Sequence, residues 1–273
     1  MYVAHTGANR IDVLDCVTNT YLRSLRDLPG VAGVLIDNRQ GVLFSSDRDC
    51  ARASIFRASD EALLGQVAVG GHPNGLAYDP GRRQLFTFNL GDPVGVGCTA
   101  SVVALDGMRV VASIPLAGRP RWAMYDGESD HDLVNIQKPA EIALINCETL
   151  KVDGAFAVPS EGPHGMGIVG DRIFCATDGG ALVVLSRAGG EVIASLDLPG
   201  VPDVLMIDEG LAHLYVAIGD PGVISVFDTG TLGHLETVAT ELGAHTTGIN
   251  PPQHAVYAFL PTSSRAAALV DAM

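Results

Sequence analysis

An apolar, often aromatic beat returns about every 42 residues, and four short apolar runs fill each interval. Together with a Gly-rich composition, these features predict an all-β propeller of four-stranded antiparallel blades. The beat runs through Tyr2, Phe44, Phe86, Val134, Phe174, Tyr215 and Tyr257, in steps of 42, 42, 48, 40, 41 and 42 residues. A second apolar run follows each beat strand, as in Ile11 to Asp15, Ser101 to Asp106 and Val223 to Asp228. A weaker third run comes next, exemplified by Gly65 to Val69 and Val111 to Leu116. A Gly-containing turn, often with Pro, then leads into a fourth, such as Gly75 to Asp79 or Val204 to Asp208. Runs this short, broken by Gly and Asp, do not sustain a helical period.

The beat strand and its successor each occur seven times, but the strand before the beat and the strand closing each blade occur only six times. The chain therefore begins inside one blade and stops inside another. Seven blades are expected within a single domain, residues 1–273, with six blades carrying extra strands as the alternative.

Composition limits function. Hydrophobic residues are 47 % and charged residues 18 % of the chain, enough for a sizeable core and unlike a disordered segment. A net charge of −14 argues against sequence-independent binding to nucleic acid and against docking on anionic membranes. No apolar run is long enough to span a bilayer, and no basic-then-apolar leader opens the sequence, so a cytoplasmic location is expected, or a periplasmic one behind a removed leader. The five cysteines are odd in number and contain no CxxC pair, which argues against a structural zinc site or a disulfide framework. Cys16 and Cys147 read as small packing residues, while Cys50 and Cys98 fall in neighbouring loops where a thiol pair is conceivable. No phosphate loop, dinucleotide fingerprint or Ser-His-Asp elbow is present, so no nucleotide cofactor is expected.

The repeat details point to a family. Ile11-Asp12-Val13-Leu14-Asp15 followed by Thr18, and Val223 to Asp228 followed by Thr231, resemble the YVTN-repeat β-propellers. So does Tyr78-Asp79-Pro80-Gly81-Arg82-Arg83-Gln84-Leu85-Phe86, a turn into the next strand. The resemblance covers nearly the whole chain. It implies architecture rather than activity, since that family and its relatives include cofactor-binding enzyme domains, lyases and non-catalytic binding proteins.

The repeat also supplies a coordinate system for candidate sites. Just after the Gly-x-Pro-like turn, at the start of the innermost strand, the aligned residues are Ala32, Asn74, Arg121, His164, Asp203 and His245. At the end of the beat strand they are His5, Asp47, Asn89, Gln137, Thr177, Ile218 and Leu260. Both sets are expected to line the mouth of the central channel, with Asn74, Arg121, Asp203, His5, Asn89 and Gln137 as ligand contacts. His164, His245 and Asp203 are a workable donor set for a divalent metal ion. His164 and His245 also suit general acid–base work, and Arg121 suits a substrate carboxylate, with Trp122 beside it for stacking. The remaining histidines, His72, His131, His213, His234 and His254, have no consistent repeat position and read as turn or edge residues. The loop Leu90 to Cys98 is long and Gly-rich, a candidate lid.

Two local likenesses bear on activity. Glu161-Gly162-Pro163-His164-Gly165 resembles the Gly-Pro-His-Gly stretch of virginiamycin B lyase, where the His serves a metal-assisted elimination. Only His164 carries across by motif; His245 occupies the equivalent slot two blades on. Asn74 and Asp203 could mimic two ion ligands of gluconolactonase-like propellers, but the opening Glu-Gly-Pro-x-Trp of that group is absent. The function expected is binding of a small molecule, peptide or ion at the channel mouth by a monomer or weak oligomer. The alternatives are a metal-assisted lyase or hydrolase built on His164, His245 and Arg121, and a protein-interaction scaffold.

Overall fold

The computed structural model describes residues 1–271. The chain is an all-β, seven-bladed propeller with antiparallel blades. By internal contacts it divides into two compact units, Met1–Ala155 and Phe156–Met273.

The first unit opens with a three-stranded sheet of β1 (Tyr2–His5), β2 (Arg10–Asp15) and β3 (Thr20–Leu25). The second blade follows as β4 (Val31–Asp37), β5 (Val42–Asp47), β6 (Arg52–Arg57) and β7 (Leu63–Ala68). The third is β8 (Pro73–Asp79), β9 (Gln84–Asn89), β10 (Thr99–Ala104) and β11 (Arg109–Pro115). The fourth is β12 (Pro120–Asp126), β13 (His131–Ile136), β14 (Glu141–Asn146) and β15 (Lys151–Ala157), whose last residues pass the unit boundary. The second unit holds β16 (Pro163–Val169), β17 (Arg172–Thr177), β18 (Ala181–Ser186) and β19 (Val192–Asp197). Next come β20 (Pro202–Asp208), β21 (His213–Ile218), β22 (Val223–Asp228) and β23 (His234–Ala239). It ends on a three-stranded sheet of β24 (Thr247–Asn250), β25 (Ala255–Leu260) and β26 (Arg265–Val270). The first sheet thus lacks a first strand and the last a fourth, as the strand count in the sequence requires.

The sheets cohere because their middle strands are apolar on both faces. In the first unit Phe44, Ile55, Leu76 and Leu85 form one cluster, and Phe86, Phe88, Val102, Val134 and Ile145 another. In the second unit Phe174, Val184, Leu205 and Val216 do the same work. Fully burying one such side chain contributes about 1.5–3 kcal/mol. The closing strand of each blade is mostly exposed, which is why its pattern is faint in the sequence. The strand-end carboxylates have a local role. Asp228 Oδ1 accepts from the backbone N–H of Gly230 and Thr231 and from the Thr231 hydroxyl, so the Asp-x-x-Thr signature is a side-chain-stapled turn. Asp15 closes its turn in the same way through Val17 and Thr18.

One element of the alignment is corrected. β13 pairs its Asp132 where the other beat strands carry Leu43, Leu85, Ile173, Leu214 and Val256. The beat residue of the fourth blade is therefore Leu133 rather than Val134, and the buried Ile136 ends that strand. Gln137 lies one residue beyond it. An acid in a core position disguised the register. Among the described residues, no helix is long and apolar enough to cross a membrane.

Candidate functional site

The slot at the start of each first strand is set by a backbone irregularity. β8 pairs Pro73 with Asn89 and then Leu76 with Thr87, so three residues oppose two. The same bulge recurs in β4, β12, β16 and β20. A bulge re-aims the side chain it carries, so Asn74, Arg121, His164 and Asp203 depart from the simple in–out alternation of the strand. Four of these strands begin with Pro, which the first strand position tolerates because no ladder N–H is needed there. A Gly follows the slot in several blades for a steric reason. A Cβ on Gly33 would lie 2.3 Å from the Asn74 carbonyl oxygen, and one on Gly165 would lie 2.5 Å from that of Asp203. The slot of one blade thus packs, backbone to backbone, on the slot of the next.

In the second unit three slot residues meet. His164 Nε2 lies 2.9 Å from Asp203 Oδ1, and His245 Nε2 lies 3.6 Å from Asp203 Oδ2. His164 Nδ1 lies 2.8 Å from Asp178 Oδ1. Both His164 nitrogens therefore face carboxylates, and both contacts are hydrogen bonds only when both nitrogens carry hydrogen. His245 Nδ1 lies 2.7 Å from the Gly243 carbonyl oxygen, to which it must donate. In the neutral ring that leaves the Nε2 lone pair directed toward a carboxylate oxygen, an arrangement relieved by a proton or a cationic or hydrogen-bond-donating group between them. His245 is 56 % and Asp203 34 % exposed, whereas His164 is only 15 % exposed. The cluster thus has a buried anchor and an accessible edge. Among the described residues, no group of three or more His, Cys, Asp or Glu side chains is arranged as a metal centre; the trio expected as ligands is instead joined through Asp203.

In the first unit the slot has a different character. Arg48 Nη2 donates to Asn74 Oδ1, and Ser46 Oγ donates to the Asn74 carbonyl at 2.6 Å. Arg121 and Trp122 lie half-buried at the start of β12. Two of the expected strand-end contacts are used inside their own blades. Asn89 is fully buried; its Nδ2 donates to Thr99 and Ser101 hydroxyls at 3.0 and 2.9 Å, and its Oδ1 accepts from Thr87 at 3.1 Å. These bonds hold β9 to β10. His5 lies 3.1 Å from Asp12, and Asp47 accepts from Ser45, Arg52 and Ser54. Gln137, outside β13, donates its backbone N–H to the Arg119 carbonyl at 2.9 Å.

Sequence reasoning missed Arg48 and Asp178. Each follows a strand-end residue by one position, Arg48 after Asp47 and Asp178 after Thr177, as Gln137 follows Ile136. A shift of one residue exchanges the faces of a strand, so the informative column was the next one along. The other histidines anchor local structure: His213 meets Asp271 at 2.6 Å, His254 meets Asp208 at 2.8 Å and His131 meets Asp153 at 3.0 Å. His72 Nδ1 contacts the Gly91 carbonyl at 2.9 Å, pinning the base of the 90–98 loop, while residues 92–97 are exposed. No disulfide joins the described cysteines; Cys98 and Cys147 are buried and Cys50 is exposed.

No protein-family model matches the chain, and no curated protein matches it by sequence. Solved structures do. Hydrazine synthase of Kuenenia stuttgartiensis superposes with a TM-score of 0.86 at 14 % identity, over 99 % of this chain and 92 % of that one. A functionally unknown protein from Desulfotomaculum acetoxidans gives 0.84 at 12 % identity, over 98 % and 91 %. The dihydro-heme d1 dehydrogenase NirN, in complex with DHE, gives 0.75 at 15 % identity, over 95 % of this chain and 58 % of that one. At such identities the likeness is one of fold.

Proposed function

We propose that the protein binds a small polar ligand or ion at the starts of its first strands, with Asp203 and His245 as direct contacts and His164 as the group that orients Asp203. The observation carrying this reading is the convergence of two imidazoles from non-adjacent blades on the two oxygens of one carboxylate. A purely structural repeat gains nothing from filling equivalent slots with His, Asp and His, since burying unlike polar groups is costly unless each is satisfied. The charge pattern favours a ligand that brings a positive charge or donates hydrogen bonds, including a divalent cation. Two structural neighbours carry enzyme names, hydrazine synthase and a dehydrogenase, but their low identity lends this chain no activity.

A second reading, catalysis, is favoured by one detail. His245 is exposed, with Nδ1 fixed by the Gly243 carbonyl, so Nε2 is the basic nitrogen offered to a bound molecule.

Thermal unfolding in a panel of divalent cations, small amines and small hydroxylated molecules tests the binding reading. A saturable rise in melting temperature is expected with at least one member, and Asp203→Asn should abolish it. A panel without any saturable shift, or one whose shift persists in Asp203→Asn, overturns the proposal. If a bound member is consumed by wild-type protein but not by His245→Ala, the catalytic reading replaces simple binding.

A further inference from the structure

The chain carries 31 acidic and 17 basic residues, so a partly buried arginine without a carboxylate is unexpected. Most arginines conform. Arg52 pairs with Asp47, Arg82 with Asp79 and Asp130, Arg23 with Glu61, and Arg10 with Asp12. Arg26, Arg39, Arg109 and Arg265 are exposed to solvent. Arg48 and Arg119 are different. Both are half-buried; among the described residues neither forms an ion pair, and the Nε of each is buried without a hydrogen-bond partner.

Both arginines adjoin strands that pack on β8 in the first unit. Arg48 follows the end of β5, and Arg119 immediately precedes β12. Between them runs β8, whose Asn74 accepts from Arg48 and whose Gly75 approaches the Arg121 backbone so closely that a Cβ would lie 2.9 Å from its carbonyl oxygen. Burial, and then the Arg119 charge, push the Arg48 guanidinium below its usual value, while the exposed Asp49 only partly offsets this. Arg119 also acts on the buried Cys98 thiol, at the base of the 90–98 loop. Two like charges and a neutral amide thus gather in the first unit.

We propose that Arg48, Arg119 and Asn74 form a binding site for a small oxyanion, the carboxylate or phosphate group of a small molecule. Guanidinium groups present planar sets of donors that match such anions and satisfy orphaned N–H groups in one step. The Asn74 amide supplies a further donor from Nδ2, since its Oδ1 is taken by Arg48. The 90–98 loop stands at the same end, with its base hydrogen-bonded to Gly71 and His72. This site is read from residues separate from the His–Asp cluster and takes a ligand group of opposite charge.

Calorimetric titration with inorganic phosphate and with succinate, in low-chloride buffer, tests it. Saturable binding of at least one is expected, and which of the two binds distinguishes a phosphate from a carboxylate ligand. Arg48→Gln and Arg119→Gln should each weaken it about tenfold or more, whereas Arg83→Gln, at an arginine paired with Asp106, should leave it unchanged. Without anion, each Gln variant should melt no lower than wild type, because it removes one of two neighbouring like charges. Absence of saturable binding by either anion, or affinities unaltered in both Gln variants, overturns the proposal. If a Gln variant fails to fold, Arg119→Lys decides: the charge is retained but the fork is lost, so weakened binding supports the site and unchanged affinity overturns it. The phosphate and succinate titrations need no ligand for Asp203, so either proposal fails or stands alone.

Discussion

The same column of the repeat carries opposite chemistry in the two units. In the first, the slot holds Asn74 beside guanidinium groups; in the second it holds His164, Asp203 and His245, with Asp178 behind them. The backbone around both is alike: a bulge, usually a leading Pro, and often a Gly that admits the neighbouring blade. What differs is one side chain per blade. The fold therefore fixes where a residue points, and leaves which residue points there open to change at little cost to the core. That separation is how a single scaffold can present guanidinium groups beside one slot and a carboxylate with imidazoles at others.

The comparison is sharpest where a departure from the repeat lies in the core instead of the slot. Asp132 takes the place of Leu43, Leu85 and Leu214, is fully buried, and neither carboxylate oxygen has a hydrogen-bond partner among the described residues. Burial, reinforced by the charges of Asp79 and Asp130, raises its pKa well above the usual carboxylate value. An acid so raised binds more protons in the native than in the unfolded chain. Its penalty on stability is absent below about pH 4 and grows as pH rises from there toward the folded-state value. Asp132→Leu is therefore expected to stabilise the protein by about 1–4 kcal/mol at neutral pH. Urea denaturation at several pH values checks this: the gap between variant and parent should widen with rising pH. A destabilised variant at neutral pH would instead give Asp132 a role the slot comparison does not foresee.

A smaller effect is expected where the slots touch. Gly33→Ala drives a methyl against the Asn74 carbonyl, and Gly165→Ala drives one against that of Asp203. Each should cost about 1–3 kcal/mol in stability. The consequences for binding should diverge. Gly33→Ala is expected to weaken phosphate or succinate binding, and Gly165→Ala the melting shift that depends on Asp203. Equal losses of both activities in each variant would show that the substitutions act through the fold, and would erase the distinction between the slots.

These expectations also mark what the sequence disclosed. Strand number and the incomplete end blades were legible because Phe44, Phe86, Phe174 and Tyr215 recur in the core with a fixed spacing. The slot residues were legible for the same reason, since the register transfers from blade to blade. Arg48, Arg119 and Asp178 were not. They sit just outside strands, where direction depends on a turn or bulge rather than on alternation, and a one-residue offset reverses the face. The fourth blade was misread by one residue because Asp132 broke the apolar pattern that sets the register. The burial of Asn89 was not legible either, because a buried amide and an exposed one are the same letter; its three hydrogen bonds to Thr87, Thr99 and Ser101 appear only in the structure.

The smallest effect separates strand-end polar residues from slot residues altogether. His5 occupies the strand-end column of the first blade and is half exposed. Its partner Asp12 also accepts from Arg10 Nε at 2.7 Å and Ser24 Oγ at 2.5 Å. Burial works to raise the Asp12 pKa, but the hydrogen bonds from Ser24, Arg10 and His5 outweigh it and hold the carboxyl below its usual value. A depressed acid contributes stability that is present above the unfolded-state value and lost as pH falls through the folded one. With two of its three partners intact, Asp12 should remain depressed in His5→Ala. The expected loss is about 0–1 kcal/mol at neutral pH, vanishing in acid, as for an exposed ion pair. Binding of phosphate, succinate and the Asp203-dependent ligand should be unchanged. A clear loss of any of these in His5→Ala would return the strand-end column to the site and remove the contrast between it and the slot.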